Sequence, residues 1–147
     1  MQERSTQNQK NIGISVTDPA WAERITVRGK MLFIIEGLSM YLSSEENEQM
    51  LSIIRDNFDN ATVLMECLAK KWVNKEKVEE SIHKTGAKFV FGADSFEDIK
   101  DIARGFRKMK DDDIRRGMTT LYPALTFFVW IPYAKKIMQK ILIFEKI

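Results

Sequence analysis

The segment with the most chemical content is FIIEGLSMYLSSEE, residues 33–46. A continuous apolar run, Met31 to Ile35, leads directly into an acid, Glu36, and then a glycine, Gly37. In open α/β sheets ligands bind outside the carboxyl ends of the strands, so an acid delivered there stands where a cofactor would lie. Gly37, without a Cβ, would let a backbone or a ligand come close. The competing account is structural: Glu36 caps the strand end and pairs with a lysine or arginine. Spacing alone leaves both open. Other reactive residue types offer less. His83, the sole histidine, sits in a charged stretch and fits a surface position better than a catalytic one. Cys67, the sole cysteine, follows the apolar run TVLM and reads as a small buried residue. No catalytic residue can be named, and no spacing suggests a metal site.

The elements that must hold Glu36 can be read from the pattern around it. Met31 to Ile35 suits a strand buried on both faces of a parallel sheet. Ser43 is a helix cap, with Glu46 completing a capping box, and the helix runs to about Phe58, burying Met50, Leu51, Ile53, Ile54 and Phe58. Asp59-Asn60 breaks it, and Thr62 to Met65 is the next buried strand. Upstream, Ile12 to Val16 is a short apolar run with strand character. Asp18 then caps a short helix with Pro19 at its first position, and Arg28-Gly29-Lys30 turns the chain back. Alternating strands and helices predict an α/β fold with a mostly parallel sheet covered by helices.

Downstream, Ala69 to Lys84 reads as a charged helix and Ala87 to Gly92 as extended. Ser95 would cap a helix from Phe96 towards Lys108, with Glu97 and Asp98 near its positive end. Asp111 to Asp113 reads as a solvated run before another helix, and Lys140 to Ile147 as a terminal strand. The uncharged stretch from Gly117 to Ala134 falls within the length range of a membrane helix, but Pro123, Pro132 and three threonines interrupt and polarise it. A buried helix-turn segment is the favoured reading over a membrane-associated stretch or a partner-binding surface.

Composition sets outer limits. The chain has 147 residues, 44% hydrophobic and 30% charged, which suits one domain with a sizeable core. A net charge of +2 gives no support for a nucleic-acid binder. The polar start, residues 1–11, reads as a flexible lead-in without the apolar core of a secretory signal. With a lone cysteine, a cytoplasmic setting is expected and a membrane one is not.

FIIEGLSMYLSSEE resembles the EG-x-x-x-YL signature of the leucine carboxyl methyltransferase family, which includes tetracenomycin-type polyketide O-methyltransferases. Three further segments resemble family blocks in the same order: SVTDPAWAERI at residues 15–25, KFVFGADSFEDI at 88–99 and IPYAKKIMQKILIF at 131–144. The likeness covers nearly all of the chain from Ile12; the Glu-Gly-Tyr-Leu block is the specific part. It implies the carboxyl-terminal part, residues 12–147, of a Rossmann-like class I methyltransferase domain with a C-terminal antiparallel strand. It implies S-adenosylmethionine as cofactor, with S-adenosylhomocysteine as product. Glu36 would lie near the cofactor's methionine end and Ser15-Val16 against adenine, where many family members carry Asp at the first position. Gly37 would permit close approach, and Tyr41 would border the pocket or join the core. Asp18 and Trp21 would fix the turn.

The resemblance also implies the reaction: methyl transfer to a carboxylate or hydroxyl of a small-molecule or polyketide-like acceptor. The sulfonium is already activated, so positioning and water exclusion supply most of the acceleration. One departure matters. The seven glycines include no G-x-G, so the Gly-rich turn and first strands of the family are missing. The expectation is a truncated or split protein that pairs with an N-terminal half or with itself through an open sheet edge. An inactive methyltransferase-like binding or regulatory module is the alternative. Isothermal titration of the 147-residue chain with S-adenosylhomocysteine should show no micromolar binding. Micromolar affinity would reject the split reading.

Overall fold

A computed structural model describes residues 9–27, 29–75, 87–115, 120 and 138–147. Helix α1 spans Ala20–Glu23 and helix α2 spans Ser44–Asn57. Strands β1 (Lys30–Ile35), β2 (Asn60–Cys67), β3 (Phe106–Asp113) and β4 (Lys140–Lys146) form one sheet in the order β1-β2-β4-β3. The protein is therefore α/β, with a mixed four-stranded sheet and few helices among the described residues.

The β1-α2-β2 unit follows the sequence closely. Ser43 Oγ accepts the Glu46 N–H at 3.1 Å, and the Glu46 carboxylate accepts the Ser43 N–H at 2.7 Å. This reciprocal cap satisfies two of the helix's orphan donors and fixes where α2 begins. Met50, Leu51, Ile53, Ile54 and Phe58 are all buried, as the periodicity predicts. They pack on Val63 and Met65 of β2. Strands β1 and β2 are parallel, with Ile35 opposite Met65.

The sheet as a whole is not mostly parallel. Strand β4 runs antiparallel to both β2 and β3, so one parallel pair meets two antiparallel ones. The terminal strand was legible in the sequence; β3 was not. Residues 96–108 were expected to be helical, yet only Phe96–Asp98 form a 3-10 turn. Strand β3 follows, and takes in Asp111 to Asp113, the run expected to precede a helix. Pairing with β4 overrides local helix propensity here. Most of β3 is solvated, which is why its sequence, FRKMKDDD, carries no apolar alternation. A register shift between Lys108 and Lys110 marks a bulge at Met109.

Four further expectations change. Ile12 to Val16 forms no strand. The Asp18 N–H bonds to Ser15 O and the Ser15 and Thr17 hydroxyls lie 2.9 Å apart, so local turn bonding takes the place of a ladder. The cap of α1 is shifted by one residue: Pro19 is the N-cap, and Asp18 Oδ1 accepts the Ala20 N–H at 2.9 Å. Strand β1 is not buried on both faces. Helix α2 covers one, while Leu32 and Ile34 on the other are 60% and 62% exposed. The helix expected from Ala69 is a 3-10 turn, Lys70–Trp72, and Asn74 follows with φ +58°. Residues 87–92, read as extended, are neither helix nor strand. His83, most of the lead-in and residues 117–134 except Thr120 lie outside the described residues. Among those described, no helix is long and apolar enough to cross a membrane.

Leu51 is fully buried between α2 and the sheet. Leu51→Ala should cost about 3 kcal/mol of stability in denaturant unfolding, the usual range for an unrelieved core cavity. A loss below about 1 kcal/mol would mean that α2 is not the cover of this core.

Candidate functional site

Two parallel strands end side by side, with an acid just past the end of one and at the penultimate position of the other. The apolar run of β1 leads to Glu36, and that of β2 leads to Glu66, the only charged residue in the strand. Pairing of Ile35 with Met65 puts these two acids at neighbouring strand ends. Glu36 is exposed, and its carboxylate has no hydrogen bond or ion pair among the described residues. The structural alternative, a strand-end acid neutralised by a base, is thus not what these residues form.

The turn after Glu36 is tightly held. Gly37 has φ +61°, a left-handed conformation that a side chain would strain. A Cβ on Gly37 would meet nothing within 4 Å. Its glycine serves backbone conformation, and the space beside it is open. The Gly37 N–H donates to Glu66 Oε2 at 2.7 Å. Ser39 Oγ donates to the Glu66 carbonyl at 2.5 Å. Asn47, fully buried on the first turns of α2, points its Nδ2 at the carbonyls of Ser39, Leu42 and Ser43 at 3.0, 3.1 and 3.0 Å. The flipped amide would set an oxygen against three carbonyl oxygens, so this orientation is fixed. Asn47 Oδ1 has no partner among the described residues.

A second layer packs on this turn. Met40, Leu68 and Phe89 form a small core of their own, joined by Trp72 and Val73. Val90 N donates to Met40 O at 2.9 Å, and Ala93 N donates to Leu68 O at 2.9 Å. Gly92 is where close approach really matters: a Cβ there would stand 2.7 Å from Leu68 O. The segment at residues 88–99, placed by resemblance, thus buttresses the loop after β1. Tyr41 lies in the 3-10 turn Ser39–Tyr41, 38% exposed, with its ring 5.2 Å from that of Phe89. It therefore joins the aromatic buttress while keeping one side open.

Ser15 and Val16 are tied elsewhere. Val16 O accepts the Trp21 Nε1–H at 3.0 Å, and Gln49 Nε2 of α2 donates to Thr17 O at 2.8 Å. Trp21 stacks on Phe58 at 5.9 Å and meets Phe33 edge-on at 6.3 Å. Asp18 and Trp21 fix this turn, as expected. Ser15 remains exposed. The structure thus brings Glu36, Gly37 and Tyr41 into one clamped loop and anchors Ser15-Val16 separately on α1 and α2. Glu66 and Asn47 escaped the sequence reading. A signal existed for the first: MLFIIE and TVLME are the same device, an apolar run closed by an acid. Comparison with protein-family models and with curated proteins finds no match to this chain.

Cys67 closes β2 fully buried, with the Ser39 hydroxyl 4.0 Å from its sulfur. Burial pushes its thiol up from 9.0 to about 12, only partly opposed by the Ser39 hydroxyl. The folded protein holds this proton more tightly than the unfolded chain does. Its contribution to stability is complete below pH 9.0 and is lost as pH rises towards about 12. At about pH 8 the native thiol should not react with an aromatic disulfide reagent, and should react at once in denaturant. Fast reaction without denaturant would place the sulfur outside the core.

Proposed function

We propose that this chain forms the carboxyl-terminal portion of a cytoplasmic, Rossmann-like, S-adenosylmethionine-dependent O-methyltransferase. The acceptor class is a carboxylate or hydroxyl of a small-molecule or polyketide-like compound. One observation carries the reading: an exposed, unpaired Glu36 presented at the carboxyl end of a parallel strand, in a turn held on both sides. A parallel β1·β2 pair followed by an antiparallel C-terminal strand agrees with the sheet that the resemblance implies.

The residues fit the cofactor's methionine end. An unpaired carboxylate suits a cationic group, and the open space beside Gly37 leaves room for it. When bound, the cofactor supplies an activated methyl group on sulfur. The chain's own part is to orient. Glu36 would accept hydrogen bonds from the amino end, while the clamped loop keeps that acid from collapsing onto the sheet. Tyr41, with its ring against Phe89, walls one side. Ser15 and Val16 would border adenine from their separate anchor.

The seven glycines include no G-x-G, so these residues do not supply the Gly-rich turn of such a cofactor site, and a methyltransferase-like binding module is the second reading. Weak binding by this chain alone is the common expectation.

Amide NMR measures such weak binding directly. Millimolar S-adenosylhomocysteine should shift the amides of Gly37 and Tyr41, and Glu36→Gln should weaken the titration by about fivefold, a charged hydrogen bond discounted for exposure. Amides that stay in place with millimolar ligand would sink the methyltransferase reading.

A further inference from the structure

We propose that Glu66 is the positioning residue of this site: its side chain and its main chain together set the turn that presents Glu36. The inference rests on the cofactor reading above and deepens it, because it gives Glu66, which lies outside the resembling blocks, a part in the same site.

The geometry is one-sided in a telling way. On β2, Val63, Met65 and Cys67 face the core and are fully buried. Thr62, Leu64 and Glu66 alternate with them and are half-buried. Strands disfavour glutamate, so an acid at this position needs a partner. Its partner is not a base. It is the Gly37 N–H, across the gap between two strand ends, at 2.7 Å. The same residue's carbonyl takes the Ser39 hydroxyl at 2.5 Å. One residue of β2 thus holds the Glu36–Ser39 turn at two points, two residues apart. Ionised acceptors make the stronger hydrogen bonds, so the side-chain contact is the firmer way to hold a left-handed glycine in a solvated turn.

The clamp has an electrostatic consequence as well. Placing a second carboxylate at the neighbouring strand end makes the local potential more negative. The methionine end of S-adenosylmethionine carries a sulfonium and an ammonium. A pre-set turn flanked by two acids therefore suits it better than a loose Glu36 would.

Three variants separate positioning from charge. Glu66→Ala removes the acceptor. Glu66→Gln keeps an acceptor of the same reach without the charge. Glu66→Asp keeps the charge but withdraws it by one methylene. Hydrogen exchange at the Gly37 amide should quicken about tenfold in the alanine and aspartate variants, with most of the protection restored in the glutamine variant. The dissociation constant for S-adenosylhomocysteine, from amide shifts, should rise about fivefold to tenfold in the same order. In a Glu36→Gln background Glu66→Ala should add little, because the two residues act through one contact with the ligand. Should the alanine variant fail to fold, the aspartate variant carries the comparison.

Unchanged Gly37 exchange in both the alanine and aspartate variants overturns the proposal. So does quickened exchange with unaltered affinity, or full additivity with Glu36→Gln, since either would make the clamp structural only. If the unaltered protein binds no S-adenosylhomocysteine at all, the cofactor reading fails and takes the role of Glu66 towards Glu36's ligand with it. That result is told apart from the others by the wild-type titration alone.

Discussion

Two strands that run the same way cannot be joined by a hairpin; the chain must leave the sheet, cross it and come back. In this protein α2 makes that crossing, and its buried face is what keeps β1 beside β2. The parallel pairing brings two carboxyl ends together at one level. Whatever follows β1 must then turn within reach of the end of β2. The turn from Glu36 to Ser43 therefore has neighbours on two sides from the outset: the last residues of β2, and the first turns of the helix it leads into. The candidate site is a consequence of that constraint rather than an addition to it.

Polar bonding fills in what packing leaves undetermined. A buried asparagine amide facing three carbonyls ties the loop to the helix start; the Ser39 and Ser43 carbonyls also accept backbone N–H groups, so the Leu42 carbonyl depends on it most, at on the order of 1 kcal/mol. Asn47 thereby couples the helix start to the loop, and the capping box of Ser43 and Glu46 fixes the same point from outside. Glu66 acts from the sheet side. Cys67, next in the chain, fills the core with a thiol that burial keeps protonated, beside the Ser39 hydroxyl.

Much of this was written in the sequence, and the omissions have a common cause. Helix α2, β1, β2 and β4 announce themselves because their apolar residues repeat with the period of a helix or fill short runs. Glu36 and Gly37 stood out because an acid and a glycine punctuate such a run. Strand β3 hid because it is a charged edge that borrows its conformation from β4, and pairing partners cannot be read from spacing. The run at residues 12–16 misled in the opposite sense: Val16 packs on the core from a turn rather than from a ladder. Asn47 looked like any polar residue on a helix, since only the fold shows three carbonyls converging on it. The two-faced burial expected of β1 failed because an apolar run states what a strand can bury, not what is there to bury it.

The sheet's two margins differ in kind. At β3, lysines and aspartates line the outer strand and the bulge at Met109 bends the backbone out of line, so a further ribbon of chain would find neither a straight template nor an oily flank. At β1 the outer strand is straight and carries Leu32 and Ile34. Among the described residues, β1 is therefore the more receptive of the two margins. Two copies meeting there, edge to edge, would form a closed pair rather than an open row.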